Sequence, residues 1–183
     1  MSAAPLYARI LGPVWEQLPA QIRDLHDTRR SSLASGRASV ERGRGLLARA
    51  VAAIVRFPPA AADVAVQVRF DDDGGIETWT RSFGPAGFAT RQFAGASPGL
   101  MCERFGPIVF VMELALAQGR LQLIIRRWRA LGLPMPMWLA PRSNSYEAVE
   151  DGRFRFHVDI SHPFTGPIVR YDGWLVPDGT WRR

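Results

Sequence analysis

Apolar residues recur at helical spacing over 39–57, where Val40, Leu46, Leu47, Ala50, Val51, Ile54 and Val55 stand among Glu41, Arg42, Arg44 and Arg49. This predicts a helix over that stretch, capped by Ser39 and ended by Pro58 and Pro59. Upstream, 5–16 reads as a short helical entry broken near Gly12 and Pro13, and 18–26 adds another turn or two. The Arg-, Ser- and Gly-rich stretch 28–37 reads as an exposed loop. After Pro59 the period falls to two: Val64, Val66, Val68 and Phe70 alternate with Ala65, Gln67 and Arg69. A turn at 71–75 and a return segment at 76–83 complete a hairpin, and further strands are predicted at 88–93, 100–105, 108–116, 120–129, 146–149, 153–161 and 168–176.

Gln118-Gly119 and Asp151-Gly152 are tight-turn signals, so neighbouring strands run antiparallel as a meander. No helical pattern follows a strand after residue 59, which argues against parallel βαβ folds and an ordinary dinucleotide-binding domain. The expectation is one α+β, mainly β, domain over 1–183. Its helical part is 1–59, and 60–183 is an antiparallel meander of about eight or nine strands curved into a barrel or half-barrel. The apolar, proline-rich connection 131–141 reads as a lid or a plug over one end of the sheet.

Composition narrows the function classes. With 47% apolar and 22% charged residues, the chain has the balance of a folded protein. The formal net charge is +6, and all 23 basic residues are arginine, as a GC-rich genome of bacterial type would produce. Dispersed arginines make nucleic acid the lowest-ranked partner, because a working footprint needs them on one face. A lone Cys102 excludes an internal disulfide, and no Cys/His spacing suits zinc. Residues 1–15 lack a secretory signal and no apolar run spans a bilayer, so the expected location is the cytoplasm.

The stretches 5–12, 36–43, 57–59, 99–107, 132–141 and 172–175 together resemble the bacterial family called domain of unknown function 4166. In that family the domain stands alone or ends a chain that begins with an epimerase-like or saccharopine-dehydrogenase-like NAD(P)-binding domain. The resemblance implies a setting near small-molecule metabolism and an NAD(P)-dependent enzyme as a potential partner. It brings no catalytic residues.

Several residues are candidates for chemistry. On 153–161, period-two geometry puts Arg153, Arg155, His157, Asp159 and Ser161 on one face and Phe154, Phe156, Val158 and Ile160 on the other. His157 and Asp159 are then the weak catalytic candidates, a base with its orienting carboxylate. The alternative is a solvated sheet face on which Arg170 and Asp172 pair across. Glu113 lies in the most apolar run, where a buried carboxylate would need Arg127 or Arg126 as partner and the pair could hold a ligand's polar group. Otherwise it faces solvent while Ile108, Phe110, Met112 and Leu114 pack inward. Strict alternation places Arg127 and Arg129 on one face, Arg126 and Trp128 on the other.

Phe110, Trp128, Trp138, Phe154, Phe156 and Tyr171 are the candidate lining of an apolar pocket. Glu103 and Arg104 beside Cys102 supply no base for a thiol nucleophile, and His26 and His162 stand isolated. No phosphate-cradling loop with its lysine, no Gly-x-Ser-x-Gly elbow and no His-Glu-x-x-His pair occurs, so no cofactor is expected. Three readings follow in order. The first is a module that binds, or processes without a cofactor, a small and largely apolar molecule. The second is an accessory domain docking on an NAD(P)-dependent oxidoreductase or epimerase, and the third a weak nucleic-acid binder.

Overall fold

The structure, a computed structural model, describes residues 4–28 and 31–178. Alternating segments joined by tight turns can pair only with their chain neighbours. Accordingly β2 (Ala61–Asp73), β3 (Ile76–Phe83), β4 (Ala86–Ala94), β5 (Leu100–Phe105), β6 (Ile108–Ala117) and β7 (Arg120–Ala130) follow one another in the sheet. At the β6–β7 turn Gln118 and Gly119 both take positive φ, 52° and 73°, the twist that a two-residue hairpin demands. A short β8 (Leu133–Met135) lies on the end of β7. The chain returns through β9 (Arg142–Glu150), β10 (Arg153–His162) and β11 (Gly166–Pro177).

The sheet closes. A strand β1 (Ser32–Arg42) pairs antiparallel with both β2 and β11, and β9 meets β7 through Leu121–Glu147 and Gln122–Tyr146. The result is an antiparallel barrel of ten strands, with β8 outside the circuit. Closure removes the exposed edges that an open sheet would leave. The antiparallel, mainly β class and the barrel expected from the sequence are what the structure has, with two more strands than the nine predicted segments.

Two segments differ from expectation. Residues 32–37, read as loop, and Ser39 to Arg42, read as the start of a helix, belong to the strand β1; Arg29 and Arg30 of that loop lie outside the described residues. The inward positions of β1 are Ala34, Gly36, Ala38 and Val40, mostly too small to register as a hydrophobic period. Close approach requires this: a Cβ on Gly36 would sit 1.8 Å from the Trp174 carbonyl oxygen, and one on the neighbouring Gly173 of β11 would sit 2.9 Å from the Ala38 Cβ. The helix predicted over 39–57 is reduced to α3 (Leu46–Ile54), which starts after the break at Gly43 and Gly45.

Helices lie at both ends. At one end α1 (Leu6–Leu11), a 3-10 helix at Gly12–Gln17 and α2 (Ala20–His26) form a plug, with Leu6, Tyr7, Ile10, Ile22 and Leu25 buried. Each such side chain contributes about 1.5–3 kcal/mol of burial. The Gly99 amide donates to the Ile10 carbonyl at 3.0 Å and ties the plug to the barrel rim. At the other end α3 sits between β1 and β2 and buries only Ala48 and Ala52 fully.

Candidate functional site

The barrel encloses a cavity of about 370 Å³. Its walls come from the inward phase of each strand, including Val66 and Val68 of β2, Phe83 of β3, Met112 of β6 and Phe156 and Val158 of β10. Val51 of α3, Val55 just after it and Leu139 border it at the mouth, while Tyr7 and Leu25 border it at the plug. Of the candidates for lining, Phe110, Trp128, Phe154, Phe156 and Tyr171 all face this cavity.

Trp138 does not: it stands 68% exposed on the outer rim, in the 3-10 helix Met137–Leu139. Glu113 also lies outside, where its carboxylate accepts from Arg126 at 2.6 Å. Arg127 lies on the outer face beside Cys102 and Arg129. A bulge causes the change on β7, because Val111 pairs with Arg127 but Met112 with Ile125, leaving Arg126 as the additional residue. That extra residue releases Arg126 from the inward phase that strict alternation assigned to it.

His157 and Asp159 are not brought together. His157 Nδ1 contacts Asp172, its ring stacks on Tyr146 with centroids 4.8 Å apart, and Asp159 takes Arg170 at 2.7 Å. Both pairs cross between β10 and β11; Asp159 and Arg170 lie on the outer face, as opposite-charge neighbours of a solvated sheet do, while His157 is mostly buried and also borders the cavity. His162 is at the mouth, within 3.1 Å of the Leu139 carbonyl oxygen. Cys102 is half-buried, and burial pushes its thiol up, away from reactivity.

A polar floor near the plug is the part that sequence reasoning missed. Glu103 Oε1 accepts from the Thr90 hydroxyl at 2.7 Å, from Gln92 Nε2 at 3.2 Å and from Arg81 Nη2 at 3.3 Å. Arg81 also donates to Thr90 at 2.7 Å and lies over the Trp79 ring at 4.8 Å. The Tyr7 hydroxyl donates to Gln92 Oε1 at 3.2 Å. Nearby, Glu77 accepts from the Trp79 indole at 3.0 Å and from the Thr28 hydroxyl. His26 is fully buried, stacks on Tyr7 at 3.7 Å and has Nε2 2.6 Å from Glu147 Oε2. The other ring nitrogen of His26, Nδ1, is buried and has no hydrogen-bond partner among the described residues.

Electrostatics follow from burial. The Tyr7 phenol is held well above its ordinary value, first by burial and then by the carboxylates of Glu147, Glu103 and Glu77, with Arg81 opposing. Burial pushes Tyr171 up to about 12. Both phenols therefore stay protonated at neutral pH. No group of His, Cys, Asp and Glu among the described residues has the arrangement of a metal site.

Fold and cavity together define a closed antiparallel β-barrel with an apolar interior and a hydrogen-bonded polar floor, an architecture compatible with ligand binding. The chain belongs to the family described as domain of unknown function (DUF4166), whose model matches residues 18–175. Tyr7 and α1 lie before the matched stretch. No curated protein matches the chain. No helix among the described residues is long and apolar enough to cross a membrane.

Proposed function

We propose that the barrel binds one small, largely apolar molecule, with the molecule's polar end on the floor formed by Tyr7, Gln92, Glu103 and Glu147. The cavity carries this reading. Its volume, about 370 Å³, lies within the ~300–1,000 Å³ of pockets that bury drug-sized ligands. A core built only for stability would fill such space, since each buried void costs contacts. The floor also has a chemical preference. Glu77, Glu103 and Glu147 set three carboxylates against one guanidinium, Arg81, and one imidazole, His26. Acceptors are in excess, so a ligand end that donates, an alcohol or an amine, fits better than a carboxylate.

A neutral naphthylamine probe, whose fluorescence rises in apolar surroundings, tests the reading. The expected result is saturable binding of one probe per chain, weakened by about tenfold or more in Leu123→Trp, where a larger ring occupies the cavity that Leu123 lines. Circular dichroism of that variant should match the parent. Absence of saturable binding, or binding indifferent to a folded Leu123→Trp, would overturn it.

A further inference from the structure

We infer that the mouth end of the barrel docks on the surface of an anionic lipid bilayer, and that the cavity exchanges its ligand there. The starting observation is where apolar surface is left uncovered. Of the nine large hydrophobic side chains that stand exposed among the described residues, eight lie at the mouth and one, Val176, does not. They come from three separate connections: Leu46, Leu47 and Ile54 from α3, four more from the connection 131–141, and Phe164 from the β10–β11 turn. In α3 the usual arrangement is inverted, for Ala48 and Ala52 face the barrel while Leu46 and Ile54 stand 82% and 79% exposed.

Charge identifies the partner. The five connections at this end, 43–60, 84–85, 106–107, 131–141 and 163–165, contain Arg44, Arg49 and Arg56 and not one Asp or Glu. Arg129 and Arg142 stand at the adjoining strand ends, as do the acids Glu41 and Asp63. None of these five arginines is in an ion pair among the described residues. The hairpins at the opposite end carry Asp71, Asp72, Asp73, Glu150 and Asp151. Apolar tips on several loops, interleaved with unpaired arginines and free of acids, match acyl chains beneath a layer of phosphates. A protein partner would instead be met by one contiguous apolar core with a polar rim of both signs.

The docking surface and the cavity share their elements. Val51, with Val55 just after it, borders the cavity from the helix whose Leu47 and Ile54 point out, and Leu139 borders it from the connection that exposes Trp138. A molecule leaving the lipid phase here would enter the barrel without crossing water, where apolar surface is most costly. The exchange, though not the docking itself, rests on the ligand-binding reading above.

Co-sedimentation of the full chain with vesicles tests the proposal, using phosphatidylcholine alone and phosphatidylcholine with about a third phosphatidylglycerol. The expected result is pelleting with the anionic vesicles at least about tenfold stronger than with the neutral ones, diminished by added salt. Leu47→Glu combined with Trp138→Glu, and separately Arg49→Glu, should abolish or sharply reduce it, whereas Val176→Glu should not. Equal pelleting with both vesicle types, no pelleting, or retention by the folded double variant would overturn docking. So would self-association on sedimentation in place of vesicle binding, which would make the mouth a contact between two copies. Probe uptake without vesicle binding defeats docking alone, and vesicle binding without probe uptake defeats the cavity reading alone.

Discussion

At the plugged end Leu6, Tyr7, Ile10 and Ile22 are 5% exposed or less, whereas at the mouth Leu46, Ile54 and Leu131 are 79% exposed or more. The plug spends its large side chains on the barrel and surrounds a hydrogen-bonded set of ionisable groups. The mouth buries Ala48 and Ala52 and leaves Leu46, Leu47, Leu131 and Leu133 outside. One end is thus built for stability and the other for contact. This division resembles the general rule that binding residues ride on connections held by a rigid scaffold. It also says which substitutions should be felt in folding and which in interaction.

The largest expected effect lies on the plug side. Glu147→Ala leaves a buried His26 nitrogen without its hydrogen-bond partner and should cost about 1–3 kcal/mol in denaturant unfolding, while Leu47→Ala at the mouth should change stability by no more than about 0.5 kcal/mol. Equal costs would erase the contrast. Alkali probes the interior next. Because burial raises the Tyr171 phenol to about 12 in the folded chain, its contribution is complete below pH ~10 and is lost as pH climbs from there through about 12. Absorbance titration should therefore show part of the tyrosine ionising only as circular dichroism reports unfolding; full ionisation of a folded chain would refute the buried placement.

A smaller effect concerns the floor's acceptors. Among ligands of equal chain length, an alkylamine or alkanol should bind more tightly than the carboxylic acid by about tenfold, or ~1.4 kcal/mol, measured by displacement of the naphthylamine probe. A preference for the acid would mean that Arg81, not the carboxylates, sets the head-group choice. The smallest effect is expected on the outer face. Arg170→Ala removes a cross-strand ion pair with Asp159 there and should leave both stability in denaturant unfolding and probe binding nearly unchanged.

What the sequence reveals depends on whether a residue's surroundings are its own neighbours. The meander from β2 to β7 is legible because large inward residues recur at alternate positions in most of its strands, as Phe110, Met112 and Leu114 do. On β1 the same alternation is written in Ala34, Gly36 and Ala38, and a strand that takes the Trp174 carbonyl so close to its backbone at Gly36 carries little hydrophobic signal. The cavity lining was largely readable from aromatic residues in phase. The floor was not, for His26 and Glu147 are 121 residues apart and meet only because the plug returns to the far side of the barrel. One clue was available: Glu77 and Arg81 share the inward phase of Trp79 and Phe83, and polar residues in that phase require partners inside.

Native mass spectrometry after incubation with an apolar extract of cells tests the central claim most directly, since it counts molecules held per chain. The account predicts one adduct of small-molecule mass on the parent chain, released on denaturation and absent from the folded Leu123→Trp variant. A parent chain that carries no adduct, or an adduct that the filled cavity retains, would contradict it.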